Sequence, residues 1–503
     1  MPSAIGPTAT ALNADRRSRE LAELGDGAPI DLLVIGGGIT GVGVALDAAS
    51  RGLRTVLVER RDLAFGTSRW SSKLAHGGLR YLASGNVGIA RESAVERGIL
   101  MTRTAPHLIR ALPQLVPLLP SVGRFEKTLV RTGFLAGDVL RATARTPASV
   151  LPRSRRIGAS EAIGLAPAVR RDGLRGGLLA YDGQLIDDAR LVVAIARTAA
   201  GHGAKILTRV AAHGVTGDSV RLRDELTGEE LTVRARSVVN AAGVWAGQVD
   251  PDIALKPSRG THLVLSAERL GNPTAALTVP IPGETNRFVF ALPAQLGRVY
   301  LGLTDEAAPG EIPDVPVATD SEIDFLLSTV NTALGADLTR ADVLATYAGL
   351  RPLLDTGDGA TADLSRNHAV LTSGTGVISV VGGKLTTYRK MAQDAVDAAV
   401  RAGGIGAGSC VTTNLSVVGA GPAPSGLPAS LVARYGGESA TVALAGALDP
   451  VADGIDVTRA ELAFAVTHEG ALDADDLLDR RTRIGLVPGD RERALPAAQE
   501  AFG

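Results

Sequence analysis

Cysteine is almost absent from the chain. Cys410 is the one cysteine among 503 residues, which excludes an intrachain disulfide and any zinc or iron–sulfur site built on cysteine. Because thiols stay reduced inside cells, this composition favours an intracellular protein. Long apolar runs are also lacking, since none approaches the roughly 20 residues of a membrane-spanning helix. The polar, charged stretch 1–24 does not look like a signal peptide, so we expect a protein that does not cross a membrane.

Aromatic residues and net charge are scarce as well. Aromatics make up 3% of the chain, too few for a base-stacking nucleic-acid platform. The 52 Lys+Arg residues balance 53 Asp+Glu residues, so no overall field attracts nucleic acid. The composition that remains, 45% hydrophobic and 21% charged, is that of a globular protein long enough for two or three domains.

The apolar pattern predicts strands and helices along most of the chain. Asn13 is a predicted helix cap, and 88–120 is predicted helical up to the proline-rich ALPQLVPLLP. Other predicted helices cover 42–50, 187–201, 321–332 and 385–402. Predicted strands cover 31–36, 55–59, the two arms of a hairpin over 220–235, 237–246, 262–266, 287–292, 298–304, 368–373 and 377–384.

A glycine motif stands between the first predicted strand and helix. In Gly36-x-Gly38-x-x-Gly41, the first glycine makes the tight turn and the second admits a pyrophosphate. The third lets the helix pack on the strand, and the helix N-terminus attracts phosphate. Glu59 ends the next strand, where a carboxylate accepts hydrogen bonds from an adenosine ribose. The motif with both strands and the acid predicts dinucleotide binding.

The stretch that follows Glu59 favours FAD over NAD. Residues 60–78 form a long loop of small and polar residues, whereas a nicotinamide dehydrogenase would continue into a crossover helix. Late in the chain, Gly382 and Gly383 follow a strand and precede a helix. Their backbone N–H groups could face a flavin and stabilise its anionic reduced form, although a plain strand–helix turn explains them equally well.

Five motifs together identify a family resemblance. GGGITGVGVALDAASRGLRTVLVE, GTSRWSSKLAHGGLRYL, NAAGVWA, YAGLRPL and VGGKLTTYRKMA occur in this order between about Asp31 and Val400. They resemble FAD-dependent glycerol-3-phosphate dehydrogenases of the aerobic, respiratory type. DLLDRRTRIG, near the end, resembles that family's C-terminal helical domain in a short form. Trp70 departs from the pattern, where the family is expected to have a small polar residue.

The resemblance implies an α/β fold with several interleaved parts. It implies a Rossmann-like FAD-binding domain of the amino-acid-oxidase-like type, an α+β substrate-binding domain and a small C-terminal helical domain. The predicted division is FAD-binding parts at 28–85, 157–260 and 345–402, a helical basic segment at 86–156, a substrate-binding antiparallel sheet at 261–344, a linker at 403–428 and the C-terminal helical domain at 429–503.

The resemblance also implies a reaction and its partners. The expected substrate is sn-glycerol 3-phosphate, oxidised to dihydroxyacetone phosphate by hydride transfer from C2 to N5 of FAD, with quinone as the final acceptor. It places the enzyme in glycerol and glycerophospholipid metabolism, in the cytoplasm or on the inner face of the membrane. It leaves a homodimer open and implies no nucleic acid. No cluster has metal-ligand spacing, so we expect no metal.

A dianionic phosphate needs fixed cations and a secondary alcohol needs a base. Arg80, Arg351 and Lys384 lie in the motifs most like the family's substrate pocket, and Tyr81 and Thr304 could add hydroxyl hydrogen bonds. His262 is the expected proton acceptor, with His76 as the other candidate. A histidine or arginine at such positions is also compatible with a purely structural role.

The residues expected to contact FAD come from the same motifs. They are Gly36, Gly38, Gly41, Glu59, Thr67, Ser68, Ser72, Lys73, Gly77, Gly78, Val210, Ala242, Gly243, Gly383, Lys384 and Leu385.

Residues 124–156 form a basic stretch in an otherwise neutral chain. Eight Lys and Arg stand against Glu126 and Asp138, and apolar residues interleave with them at partly helical spacing. This pattern fits an interfacial helix at a membrane and a solvated basic face equally well.

Two alternatives to the dehydrogenase remain open at this point. One is a flavin oxidase, acting either on glycerol 3-phosphate with oxygen or on an amino or hydroxy acid bound by Arg351. The other is a dinucleotide-binding regulator without catalysis. That regulator gives no reason for Arg80, Arg351 and Lys384 to occur beside the flavin motifs.

Overall fold

The structure, a computed structural model, describes residues 6–78, 81, 85–120, 124–284, 287–355 and 368–503. Its strands are β1 Ile30–Ile35, β2 Thr55–Glu59, β3 Leu74–Ala75, β4 Ile109–Pro117, β5 Arg155–Ile157, β6 Gly177–Leu185, β7 Lys205–Thr208, β8 Val210–His213, β9 Ser219–Asp224, β10 Glu230–Asn240, β11 Leu255–Ser266, β12 Ala276–Pro280, β13 Phe288–Ala294, β14 Arg298–Gly302, β15 Glu306–Ala307, β16 Val343–Leu354, β17 His368–Thr372, β18 Ile378–Gly382, β19 Pro450–Ala452 and β20 Ile455–Thr458. Its α-helices are α1 Pro7–Thr10, α2 Ala14–Gly25, α3 Ile39–Ser50, α4 Val87–Ile99, α5 Arg124–Thr143, α6 Ala159–Leu165, α7 Asp188–Gly201, α8 Ala246–Val249, α9 Asp320–Asn331, α10 Tyr388–Gly403, α11 Ala429–Tyr435, α12 Ser439–Ala443, α13 Arg459–His468 and α14 Pro488–Glu500.

The first sheet carries the glycine motif. Its main order is β17-β18-β10-β1-β2-β7, and β8 and β9 continue from β10. The strands from β18 to β7 run parallel, while β17 is antiparallel to β18. A parallel strand needs cover on both faces, which explains why every residue of β1 is buried. The carboxyl end of β1, followed by α3, therefore opens at the centre of the sheet, where α/β proteins bind ligands.

Three helices cover one face of this sheet. The inner positions of α3 are apolar or small on all sides, as expected for a helix enclosed by protein. Gly43 brings α3 against α10, because a Cβ at that position would lie 2.9 Å from the ring of Tyr388. Asp187 caps α7, accepting a hydrogen bond from the backbone N–H of Arg190 at 3.1 Å. The largest apolar core lies between these helices and the sheet.

The second sheet lies opposite the first and forms the other wall of the cavity described below. Its order is β15-β11-β14-β13-β12-β4-β6-β3, with β16 paired to β11 and β5 to β6. Most neighbours are antiparallel, and β11 pairs with β16 along almost its whole length, from Leu255 to Leu265. The capping box of Thr319 and Glu322 starts α9, which buries Leu326, Leu327 and Val330 against this sheet.

The predicted helix over 88–120 is wrong in its second half. Helix α4 ends at Ile99, one irregular turn follows, and the proline-rich stretch is β4. Two prolines are tolerated there because β4 pairs with β12 only at Gln114 and Leu115, which limits the backbone donors it needs on that side. The second arm of the hairpin predicted over 220–235 and the strand predicted over 237–246 are likewise one strand, β10, which ends at Asn240.

The predicted domain boundaries cut through strands. The boundaries at 260/261 and 344/345 fall inside β11 and β16, and both strands belong to the second sheet. Strands β3 and β6, predicted within FAD-binding parts, also belong to the second sheet. The chain thus passes between the two layers more often than predicted. The division into domains remains a prediction.

Residues 429–503, the C-terminal segment, have a small core of their own and a two-stranded sheet of β19 and β20. The segment meets the first layer through buried ion pairs. Arg190 pairs with Glu469 at 2.7 Å, and Asp62 pairs with Arg481 at 2.8 Å and Arg480 at 2.5 Å. Such pairs hold only in fixed geometry, so they specify how the segment docks. Among the described helices, none combines the length and apolar character that crossing a bilayer requires.

Candidate active site

The turn between β1 and α3 consists of glycines, so no side chains cover its backbone. Gly36 has φ +112°, and a Cβ there would lie 2.6 Å from the carbonyl oxygen of Ala241. A Cβ at Gly41 would lie 1.8 Å from the carbonyl oxygen of Gly36. Gly38 precedes α3 in an extended conformation and gives the helix no side-chain cap. The turn therefore brings backbone rather than side chains to the ligand side of the sheet, which is the close approach that the pyrophosphate prediction requires.

Glu59 closes this turn from the side. Its Oε2 accepts the N–H of Gly37 at 2.6 Å, and its Oε1 accepts the N–H of Arg61 at 2.7 Å. Burial raises the pKa of Glu59, while these two backbone hydrogen bonds lower it in part. A carboxylate has further lone pairs, so Glu59 keeps acceptor capacity for ribose hydroxyls.

The loop after β2 returns to the same turn. Ser68 Oγ accepts the N–H of Ile39 at the start of α3 at 2.9 Å, and Thr67 Oγ1 donates to the carbonyl of Leu350 in β16 at 2.6 Å. The loop is thereby tied to both sheets. Its predicted course, along an extended dinucleotide, agrees with these contacts.

A cavity of about 880 Å³ lies between the two sheets and collects most of the predicted residues. Its size is that of a cofactor and substrate site. The predicted residues that line it are Gly36, Gly38, Glu59, Thr67, Ser68, Ser72, Tyr81, Val210, Ala242, Gly243, His262, Thr304, Arg351, Gly383, Lys384 and Leu385.

This cavity fits a flavin dinucleotide by the chemistry of its walls. Gly36 and Gly38 let a pyrophosphate approach the backbone closely, although the Gly36 N–H itself donates to the Val58 carbonyl at 2.8 Å, and Glu59 suits a ribose. Gly382 and Gly383, with φ +73° and +71°, form a second bare turn on the same cavity, before α10. A Cβ at Gly383 would meet the Met391 sulfur at 2.5 Å, so this turn also requires glycine.

Arg351 lies on β16 and enters the cavity in a fixed orientation. Its guanidinium donates to Ser258 Oγ and Asp305 Oδ1, both at 3.0 Å, and to the carbonyl of Thr304 at 3.1 Å. Glycine at position 260 makes room, since a Cβ there would lie 2.2 Å from a guanidinium nitrogen. Arg351 is thus a cavity cation on a strand rather than on a surface turn.

His262 lies on β11, buried at the cavity wall. Its ring stacks on Tyr347 at 4.6 Å between centroids, and its Nε2 lies 2.8 Å from Ser72 Oγ. Among the described residues, its Nδ1 has no hydrogen-bond partner. Burial lowers the pKa of His262 well below its ordinary value, and the charges of Lys73 and Arg351 lower it further. The imidazole is therefore neutral at pH 7 and able to accept a proton.

Thr304 lines the cavity, but its hydroxyl serves the protein. Oγ1 donates to Glu322 Oε1 at 2.7 Å and accepts the N–H of Thr261 at 3.0 Å. The predicted substrate contact of Thr304 stays a prediction, and its hydroxyl already supports the wall that carries Asp305.

Lys384 and Tyr81 are brought together. The ammonium of Lys384 lies 4.1 Å from the ring centroid of Tyr81 and donates to Ser93 Oγ of α4. His76, the other candidate base, stacks at 6.5 Å on Tyr81 and lines the same cavity. Arg80, predicted as a phosphate ligand, lies outside the described residues.

Four predicted cofactor residues do not line the cavity: Gly41, Lys73, Gly77 and Gly78. Gly41 acts in packing, as its motif position implies. Lys73 is buried, and its Nζ donates to Asp188 at 3.0 Å, so its predicted FAD contact is corrected to an internal ion pair. Gly77 and Gly78 pack against α4, where a Cβ would overlap Arg97 or Ala90.

The sequence motifs did not identify the aromatic walls of the cavity. Trp70, Trp245, Phe288 and Phe290 line it, and Trp70 stacks on Tyr347 at 5.9 Å. Phe288 and Phe290 alternate along β13, so period-two spacing could have placed them on one face. Trp70 takes the place expected for a small polar residue and is accommodated against Tyr347.

Helix α5 adds apolar cover to the cavity. Leu129, Val130 and Phe134 line it, whereas Leu135 and Val139 are exposed on the same helix. The helix ends at Thr143, so the basic stretch 124–156 is not one helix, and Arg141 is buried. Within the described ranges, no group of three or more potential ligands could hold a metal ion.

Comparisons with known proteins agree with this geometry. The family model described as FAD dependent oxidoreductase matches residues 31–389, and that described as C-terminal domain of alpha-glycerophosphate oxidase matches 375–502. Glycerol-3-phosphate dehydrogenase 1 of Mycobacterium tuberculosis is 66% identical, covering 98% of this chain and 99% of its own. Glycerol-3-phosphate dehydrogenase of Mycobacterium leprae is 36% identical, over 96% and 84% of the two chains.

A solved structure agrees as well. The glycerol-3-phosphate dehydrogenase from Bacillus halodurans, complexed with FAD, has a TM-score of 0.72 at 27% identity over 97% of this chain and 94% of its own. The predicted fold class and the FAD cofactor are confirmed by these matches. The chain belongs to the glycerol-3-phosphate dehydrogenase family of FAD-dependent oxidoreductases.

Proposed function

We propose that this protein oxidises sn-glycerol 3-phosphate at C2 to dihydroxyacetone phosphate. The observation that carries the proposal is one cavity that joins the bare glycine turns to Arg351, Lys384 and a buried, neutral His262. A dinucleotide cradle alone would fit many oxidoreductases, whereas cations and a base beside it select an anionic alcohol. The relatives named glycerol-3-phosphate dehydrogenase support the same substrate.

Arg351 and Lys384 bind the phosphate of the substrate. The Arg351 fork suits two phosphate oxygens, and its orientation is fixed by Asp305, Ser258 and the Thr304 carbonyl. Lys384 supplies a point charge next to the second glycine turn. When these cations hold the phosphate, C2 lies in a fixed position relative to the cofactor. This fixed position accelerates the reaction.

His262 takes the proton of the C2 hydroxyl as the C2 hydride departs. Its neutral state makes this transfer feasible at pH 7, and Ser72 and Tyr347 fix the ring plane. The chemistry that bound FAD supplies is acceptance of the hydride at N5 and return of two electrons to an acceptor, which we propose to be a quinone. The peptide groups at Gly383 and Leu385 line the same cavity and would stabilise negative charge on the reduced flavin.

The test is the visible spectrum of the purified holoprotein under argon. Glycerol 3-phosphate should bleach the flavin band at substoichiometric oxygen, and plain glycerol should do so far more slowly. Protein that carries no flavin after reconstitution would favour a non-catalytic role. Faster bleaching by D-amino acids or 2-hydroxy acids would replace the substrate with a carboxylate.

The identity of the acceptor needs its own experiment. The match to the C-terminal domain of alpha-glycerophosphate oxidase favours oxygen as the second candidate acceptor. Enzyme reduced by glycerol 3-phosphate is mixed with either a quinone analogue or air-saturated buffer. Faster reoxidation by the quinone supports the dehydrogenase, whereas stoichiometric hydrogen peroxide at a comparable rate supports the oxidase.

A membrane-dissolved quinone would require contact with the bilayer surface. We propose α5 for this contact, because Leu135 and Val139 project from it and the exposed Arg145 and Arg153 follow it. The test is sedimentation with anionic liposomes at low salt. Leu135→Glu with Val139→Glu should lose binding, and Leu226→Glu, at an exposed position on a β-turn, should keep it. Binding unaffected by the double variant removes α5.

A further inference from the structure

We propose that Arg483, on the C-terminal segment, is a positioning residue that holds the cavity-lining loop 69–73 and, through this loop, the His262 ring. The proposal rests on the proposed function, since it takes His262 as the proton acceptor. Arg483 and Lys73 do not line the cavity themselves, so whatever they contribute must pass through their neighbours.

Arg483 is fully enclosed and directed at the loop. Its side chain is 1% exposed and donates to the carbonyl of Arg69 at 2.8 Å and to the carbonyl of Asp479 at 2.7 Å. Its Nε lies 3.3 Å from Asp187 Oδ2, and its guanidinium lies 5.2 Å from the Trp70 ring. A buried arginine with an acid and two carbonyls as partners defines one geometry rather than a range.

The backbone that carries Arg483 is itself fixed. Arg298 of β14 donates to the carbonyls of Arg483 and Ile484, at 2.8 and 3.1 Å. Arg298 also pairs with Asp490 at 2.6 Å. The guanidinium is therefore anchored to the second sheet, which also carries His262.

A second buried cation converges on the same carbonyl. Lys73 Nζ donates to the Arg69 carbonyl at 3.0 Å, to the Ser71 carbonyl at 3.2 Å and to Asp188 Oδ2 at 3.0 Å. Asp188 Oδ2 also accepts the N–H and the hydroxyl of Ser71. Two cations and the adjacent acids Asp187 and Asp188 thus clamp one side of loop 69–73.

The other side of the loop meets the reacting residues. Ser72 Oγ lies 2.8 Å from His262 Nε2, and Tyr347 donates its hydroxyl to the Ser71 carbonyl at 3.1 Å. Tyr347 is the ring on which His262 stacks, and Trp70 stacks on Tyr347 in turn. Both contacts that fix His262 therefore depend on where Arg69 to Ser72 lie. Movement of the loop by a fraction of an ångström would shift the base relative to C2.

Rapid-reaction kinetics of the holoprotein tests this chain of contacts. Flavin reduction by glycerol 3-phosphate is followed per bound flavin, giving a limiting rate and an apparent Kd. Arg483→Met should lower the limiting rate by about tenfold or more while the Kd changes less than about twofold, because the phosphate cations are untouched. Arg483→Lys should recover part of the rate, since one donor can still reach Arg69.

Two controls separate positioning from general damage. Arg493→Met removes the same charge from an exposed arginine of the same segment and should leave the rate within about twofold. In a Ser72→Ala/Tyr347→Phe background the Arg483→Met change should lower the rate by less than about threefold more, because both hydrogen bonds that link the loop to His262 and its stacking partner are already cut. Tyr347→Phe should lower the limiting rate by about three- to tenfold at unchanged Kd, and it decides the question if the Arg483 variants bind no flavin.

The outcomes distinguish the two proposals. If the unaltered protein is not reduced by glycerol 3-phosphate, the proposed function fails. If it is reduced, and Arg483→Met behaves like Arg493→Met, loses affinity instead of rate, or loses as much in the Ser72→Ala/Tyr347→Phe background as without it, the role of Arg483 is overturned. An unchanged limiting rate in Tyr347→Phe overturns it as well.

Discussion

The two ends of the cavity differ in the groups that line them, which are mainly backbone at one end and side chains at the other. The dinucleotide end consists of the glycine turn from Gly36 to Gly41, where backbone and not side chains meets the ligand, with one carboxylate from Glu59. The substrate end consists of long side chains, Arg351 and Lys384 beside His262, each on a different strand or loop and each fixed by further side chains. At the first end a local sequence motif sets the geometry, and at the second only tertiary packing does.

This difference predicts how each end responds to change. A site made of backbone cannot adjust to an added methyl group, because the peptide oxygen that the methyl group meets cannot rotate away. A side-chain site can lose one group and keep its cofactor, so its defects should appear in the reaction and not in flavin content. The following experiments break or sharpen this contrast.

The largest effect is expected at Gly41. Gly41→Ala places a Cβ 1.8 Å from the Gly36 carbonyl oxygen, which forces β1 and α3 apart. Purified protein should carry less than about a tenth of the wild-type flavin. Absorbance per mole of protein measures this loss. Gly164→Ala, in α6 with open space around it, should keep full flavin content, and a yellow Gly41→Ala protein would contradict the rigid cradle.

At the substrate end, Arg351→Leu should keep its flavin and lose catalysis. Charge-assisted hydrogen bonds contribute about 1.5–3 kcal/mol each, so kcat/KM for glycerol 3-phosphate should fall roughly ten- to a hundredfold. Plain glycerol lacks the phosphate and should lose comparatively little. Arg340→Leu, at an exposed ion pair, is the matched control. Equal losses for the two alcohols would make Arg351 structural.

The dinucleotide end was predictable because each of its contacts is local. Gly36, Gly38, Gly41 and Glu59 fall within one strand–helix–strand unit, and its geometry follows from chain connectivity. Arg351 and His262 were identified through the family resemblance, but their partners were not, because Asp305 and Ser72 reach them from other parts of the chain. Lys73 was misplaced for the same reason, since sequence does not say on which side of a loop a lysine points.

The region where the C-terminal segment docks should respond to pH. Gly419, just before the segment, and Gly436 within it let the chain close over His107, and burial lowers the pKa of His107 to about 4. Between pH 6.5 and 4 the unfolded chain binds a proton that the folded protein excludes, so this stability is present above pH 6.5 and lost as pH falls. The loss should reach about 2 kcal/mol at pH 5.

Thermal unfolding at pH 7.5 and pH 5 measures this effect. His107→Gln should show a smaller fall in Tm between the two pH values than the unaltered protein, because its buried side chain cannot be protonated. His213→Gln, at an exposed site, should keep the wild-type difference. Identical pH dependence in the His107 variant would assign the acid lability to other groups.

The smallest effect on substrate binding, and the sharpest test of the substrate end, is expected at Thr304. Thr304→Val removes only the hydroxyl that accepts from Thr261 N–H and donates to Glu322, and it leaves both partners buried. The free energy of unfolding should fall by about 1–3 kcal/mol. The apparent Kd for glycerol 3-phosphate should change little, because the hydroxyl serves the wall and not the ligand. Thr304→Ser should restore stability, since it keeps the hydroxyl. A large rise in Kd with unchanged stability would instead return Thr304 to the substrate contact that its sequence motif predicts.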